Sequence, residues 1–261
     1  MHPLYLLDTA RVLLSLLMLI YASWVDLQTR EIYDLVWLVF GGLGLSIALY
    51  EVYIGTLPAV WLALPVLFSS AISIALGYLG LFGGADVGAF IALSLLHPVP
   101  PRGLKPALSI VSIVYPLTLF SNSALSGASY SLVILAKNLS HALQGRSLFT
   151  GLRGESIWKK VVVLATGQRI GIDSVKGPPF QYPIEFIKKD GSGRTLNLRP
   201  NIQDDDAALK AFKRLEVAEV KEIWVSHTLP FILFIMVGYI AALTLGDIAL
   251  FLLKPFLSDW I

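Results

Sequence analysis

The chain has 261 residues, 56% of them hydrophobic and only 15% charged, with a mean hydropathy of +0.71. Twenty basic against eighteen acidic residues leave a net charge of +2, and cysteine is absent. That balance excludes a disordered or collagen-like chain, a nucleic-acid-binding surface, a disulfide framework and a cysteine nucleophile, and the apolar runs indicate an integral membrane protein.

A membrane-crossing helix needs about 20 apolar residues. The first such run covers residues 4–25 and carries Asp8 and Arg11, whose i,i+3 spacing predicts an ion pair near one end. Only His2 precedes it as a polar residue, whereas a cleavable signal would place Lys or Arg there, so the run is expected to stay as a span. Further spans are predicted over residues 34–53 and 58–82, and a shorter one over 87–96 behind Gly83-Gly84-Ala85-Asp86. The turn cluster His97-Pro98-Val99-Pro100-Pro101-Arg102-Gly103 leads to a fifth span at 106–120, extended by 124–139. The last covers 229–253 and contains Asp247, expected to be a polar packing contact. Trp24, Tyr33, Trp224 and Trp260 read as interfacial anchors.

Residues 140–226 form the one sizeable polar segment. Within it the β-branched run from Trp158 to Ala165 predicts a strand, with a turn at Gly167-Gln168-Arg169 and a partner strand over 170–175. Residues 183–189 and 194–198 flank Asp190-Gly191-Ser192-Gly193, a hairpin signal. Asp204-Asp205-Asp206 opens a predicted helix running to Val217, with Lys210, Lys213 and Arg214 toward its end as the helix dipole favours. The expected fold is an all-α polytopic membrane protein of about six spans with a small, mostly β (α+β) insert. Its parts are a membrane domain at 1–139, a cytoplasmic insert at 140–226 and a closing span at 227–261.

Fifteen of the twenty basic residues lie between Lys137 and Lys221, and Arg30 follows the first span. The positive-inside tendency then makes the insert and the first loop cytoplasmic. Alternating six spans puts Asp26, at the end of the first, and Asp86, at the start of the fourth, on that same face. Two neighbouring carboxylates cannot both ionise easily, so an acid and a base coexist, as aspartic proteolysis requires. The ordinary structural reading of Asp86 is a helix cap, and Gly83 and Gly84 would allow a turn and close approach by an extended substrate.

Gly83-Gly84-Ala85-Asp86 resembles the glycine–aspartate motif of membrane aspartyl proteases related to the type IV prepilin peptidases. Asp26-Leu27-Gln28-Thr29-Arg30-Glu31-Ile32-Tyr33-Asp34 is similar to that family's first-aspartate motif, where an Arg and an Ile follow the Asp. Trp224-Val225-Ser226-His227-Thr228-Leu229-Pro230-Phe231-Ile232 resembles a segment of the archaeal preflagellin (prearchaellin) and prepilin peptidases. Ala85 stands where some relatives have Gly. The absence of cysteine, and of the N-terminal cysteine-rich loop of bacterial members, points to the archaeal branch that cleaves without methylating. The resemblance implies removal of short, basic class III signal peptides from archaellin and type IV pilin-like precursors at the cytoplasmic face of the plasma membrane. It implies Asp26 and Asp86 as the catalytic pair, with Gly83, Gly84 and Ala85 as backbone support.

A basic leader would be helped by acids, for which Glu31, Asp34 and the run Asp204, Asp205 and Asp206 are candidates. Asp34 can equally cap the second span, and the run can simply start its own helix. No cofactor is expected. His2, His97, His141 and His227 are scattered, so no metal site is expected either. A presenilin-type protease would place its aspartates deeper within helices. A small transporter using Asp26, Asp86 and Asp247 would predict internal repeats, which the chain lacks. A purely structural assembly protein would tolerate loss of both aspartates.

Overall fold

The computed structural model describes residues 3–188, 191, 193–199, 201–202 and 204–257. His2, Lys189, Asp190, Ser192 and Trp260, which figure in the expectations above, lie outside them. The chain forms two compact units: residues 1–127 with 230–261, and residues 128–229.

The first unit is helical. Helix α1 spans Pro3–Thr29, α2 Asp34–Tyr53, α3 Ala59–Tyr78 and α4 Gly84–Leu96. Helix α5, Tyr115–Leu143, begins in this unit and continues into the second. Helices α1, α2, α3 and α5 are each long and apolar enough to cross a membrane, whereas α4 is a shorter apolar helix of 13 residues. The chain closes with a bent pair that can serve as one further crossing.

One stripe of α1 is buried: Asp8, Arg11, Ser15, Met18, Leu19, Ala22 and Asp26 recur at helical spacing and face the interior. Met18, Leu19 and Ala22 join Trp37, Phe90, Leu93, Tyr115, Ile232 and Ile235 in the core. Helix α2 lies close against α4. A Cβ on Gly44 would come within 2.8 Å of the Leu96 backbone nitrogen, the small-residue contact by which membrane helices approach. His97, fully buried, joins the elements at the far end of α4. Its Nε2 lies 3.0 Å from the Ser15 hydroxyl and 2.9 Å from that of Tyr239.

The expected Asp8–Arg11 pair is replaced by a wider network. Arg11 pairs with Glu51 at 2.5 Å, while Asp8 accepts from the Arg102 backbone N–H at 2.9 Å. Arg102 also reaches Glu51 at 2.6 Å. The reason is burial: Arg11 and Glu51 are almost fully enclosed, so the cation needs a partner inside the bundle instead of snorkelling to water.

The fifth helix starts nine residues later than residue 106, at Tyr115-Pro116, a proline in the first turn being compatible with a helix start. The preceding stretch is extended because its backbone is bonded elsewhere. The N–H groups of Ala107 and Leu108 donate to the carbonyls of Thr244 and Leu245, and Asp247 N–H donates to Ile110 O.

Those bonds meet the break in the last expected span, which is two helices, α8 (Phe231–Thr244) and α9 (Ile248–Leu257), bent by 64°. Gly246 takes φ +96° there, a conformation favouring glycine. Asp247 caps α9: its Oδ1 accepts the Leu250 N–H at 2.9 Å and its Oδ2 the Thr118 hydroxyl at 2.9 Å. This intramembrane acid is therefore accounted for by polar packing, as expected.

The second unit holds α6 (Ile157–Thr166), α7 (Asp205–Val217) and five short strands: β1 (Gly167–Gly171), β2 (Gln181–Pro183), β3 (Glu185–Ile187), β4 (Arg194–Leu196) and β5 (Glu222–His227). Strands β1, β5 and β2 form an antiparallel sheet in that order, and β3 pairs with β4 as the expected hairpin, Phe186 opposite Thr195. Central β5 is buried on both faces. Trp224 packs with Leu148, Val163 and Leu196, while Ile223 and Val225 pack with Phe212 and Leu215.

The run expected as a strand, Trp158 to Ala165, is helix α6, and the sheet instead begins at Gly167. Asn138 explains the reversal, since its side chain donates 2.8 Å bonds to the carbonyls of Leu164 and Gly167 at the helix end. Lys159 and Glu155, one turn apart, pair at 2.9 Å at the other end. Similarly, Trp224 to His227 belong to β5, and α8 begins only at Phe231.

Candidate active site

Asp26 lies in the last turn of α1, on its buried stripe, and is 8% exposed. Asp86 lies in the first turn of α4, where its Oδ2 accepts the Gly83 N–H at 2.8 Å. That bond gives Asp86 the capping role open to it from sequence. The two carboxylates stand close enough for the charge of Asp26 to act on Asp86. Residues sixty apart in the chain thus come within range of each other's charge.

Two polar groups act on the Asp26 carboxyl. The Arg30 guanidinium lies 3.7 Å from Oδ2, one turn on, and the backbone N–H of Ile232 stands close enough to act on the same carboxyl. Ile232 is in the first turn of α8, whose leading N–H groups have no partner within the helix. The third segment singled out in the sequence therefore reaches the site through its main chain. Sequence reasoning missed that role; the available signal was Pro230, which marks a helix start immediately before Phe231 and Ile232.

Ala85, Ile32 and Phe82, neighbours of the two aspartates in the chain, pack against the core. Phe82 lies 5.5 Å from Phe90, 5.7 Å from Phe120 and 5.2 Å from Phe231, measured between ring centres. Neither motif glycine is demanded by this conformation: Gly83 has φ −76°, and a Cβ on Gly84 would meet nothing within 4 Å. The turn is left open where a side chain would otherwise project.

Glu31, in the loop after α1, and Asp34, at the start of α2, are both exposed. Tyr33 occupies the N-cap position of α2 expected for Asp34, and Asp34 sits in the first turn with its charge matched to the helix dipole. In the second unit, Asp204 caps α7 by accepting the Ala207 N–H at 2.9 Å. Asp205 accepts the Tyr182 hydroxyl at 2.6 Å; burial and that carboxylate push the phenol up to about 12. Asp206 is exposed in the same turn. Among the described residues, no three His, Asp or Glu side chains gather as a metal site would require.

Residues 13–132 match the type IV leader peptidase family, and residues 159–248 match the archaeal peptidase A24 C-terminus, type II. Together these two matches, both to peptidase families, cover most of the chain. It is a peptidase with several apolar, membrane-compatible helices. Over 254 residues it is 24% identical to a preflagellin peptidase of Methanococcus voltae, covering 93% of this chain and 97% of that protein. Over 246 residues it is 26% identical to a preflagellin peptidase of Methanococcus maripaludis, covering 91% and 96% respectively. Both matched regions of the family reach the site, the first containing Asp26 and Asp86 and the second containing Ile232.

Proposed function

We propose that this peptidase is a membrane aspartic endopeptidase that removes the short basic leader from archaellin or type IV pilin-like precursors, using Asp26 and Asp86 to activate water. The observation that carries the reading is the approach of these two carboxylates from separate helices. A pair so placed shares its charge unevenly, one ionised and one protonated.

The ionised carboxylate takes a proton from water while the water oxygen bonds to the scissile carbonyl carbon. The protonated carboxyl gives its proton to the carbonyl oxygen, producing a tetrahedral diol. As the C–N bond breaks, the first carboxyl passes its proton to the leaving nitrogen. The second recovers a proton from the diol as the carbonyl re-forms, and the pair is reset.

The helices cross the membrane six times in this reading, counting α4 as a short span and α8–α9 as one. The end of α1 and the start of α4 then share a face, and the basic residues, with Arg30 in the first loop, make that face cytoplasmic. Exposed Glu31 and Asp34 stand nearest in the chain to Asp26 and meet the basic residues of the leader. Open space over Gly84 admits an extended backbone.

Co-expression with candidate precursors, followed by mass spectrometry of their N-termini, tests the proposal. Loss of the leader at one defined peptide bond is expected; precursors that keep their leader would contradict it.

A further inference from the structure

Arg30 combines two features that seldom occur together. Its backbone has φ +61°, the left-handed conformation in which a helix commonly ends and which glycine adopts without cost. Its N–H closes the last turn on Asp26 O at 3.2 Å, so the residue sits where a C-terminal glycine would. Yet its side chain, only 15% exposed, turns back to the Asp26 carboxyl instead of extending into water. A non-glycine residue held in a strained conformation, with a long cation folded inward, is kept for what that side chain does.

We propose that Arg30 is a positioning residue that makes the two aspartates unequal, holding Asp26 as the ionised carboxylate that receives the water proton and leaving Asp86 to carry the acid proton. This rests on the dyad reading above. The groups acting on Asp26 are the Arg30 guanidinium and the Ile232 N–H, while the like charge of Asp26 acts on Asp86. Asp86 has the Gly83 N–H and no cation of its own among the described ion pairs. A carboxylate with a guanidinium beside it is the better-supported anion of the two.

Arg30→Gly separates this role from a structural one. Glycine relieves the backbone, so the variant should insert and should melt at or above the wild-type temperature. Its kcat should nevertheless fall roughly 10- to 100-fold, with KM for a precursor changed by less than about threefold. Guanidinium ion at non-denaturing concentration should restore part of the rate where equal sodium chloride does not, and Arg30→Lys should retain more activity than Arg30→Gln. A stable Arg30→Gly enzyme cleaving at the wild-type rate would overturn the proposal, as would a slowed one that guanidinium does not help. Asp26→Asn and Asp86→Asn run alongside keep the two readings apart. If both are inactive while Arg30→Gly is fully active, only the Arg30 role fails; if either Asn variant cleaves normally, the dyad itself fails.

Discussion

The main-chain N–H of Ile232 stands close enough to the carboxyl of Asp26 to act on it, bringing the first turn of α8 to the last turn of α1. A side chain of α1 thereby lies beside a backbone group more than two hundred residues later. Two distant motif segments thus pack into one core.

Removing that N–H should slow cleavage without unfolding the chain. Proline is tolerated in the first helical turn, so Ile232→Pro deletes the donor while α8 can still form. Ile232 is buried, and Ile232→Ala therefore controls for lost packing. The proline variant should lose roughly 10- to 100-fold in kcat beyond the alanine variant. Equal rates for the two would show that the Ile232 N–H is dispensable.

The network of Asp8, Arg11, Glu51 and Arg102 makes a separate prediction. Arg11 and Glu51 are 1% and 0% exposed, so deleting either leaves a charge stranded in the bundle. Arg11→Met should destabilise the protein by about 3–5 kcal/mol, and Arg11→Met with Glu51→Gln should recover part of that loss. Arg102 is more exposed and its loss should cost less. Thermal unfolding in detergent checks the order.

Acid should loosen the second unit at Glu155. Burial alone would push this carboxyl up, but hydrogen bonds from Lys159 and Thr195 outweigh it and hold it below the usual range. A carboxyl depressed in the folded state adds stability above its unfolded pKa, and that stability is lost as pH falls through the folded value. The melting temperature of Glu155→Gln should lie below wild type at neutral pH and converge with it as the medium is acidified below the ordinary carboxylate range. A gap independent of pH would contradict this.

Legibility from sequence followed the range of the interactions involved. Helix α2 begins and ends at the residues read from its apolar run, and the hairpin of β3 and β4 follows from its Gly-rich turn, because both signals are local. The β-branched run of α6 misled because its helix is completed by Asn138, about twenty residues upstream. The late start of α5 and the bend at Gly246 depend on each other through bonds between residues 107–110 and 244–247, which no local pattern displays. Asp26 and Asp86 could be placed on one face by counting spans. Their approach, and the neighbouring Arg30 and Ile232, required the packing of α1, α4 and α8.

The most direct test is cleavage of a purified precursor by the protein in lipid nanodiscs, with Asp26→Asn and Asp86→Asn compared against wild type and the products identified by mass. Asn keeps the shape of each side chain and removes its ability to titrate. Each substitution should abolish release of the leader while the protein remains inserted and folded. Leader release at the wild-type rate by either variant would contradict a mechanism in which these two carboxylates share the work of activating water.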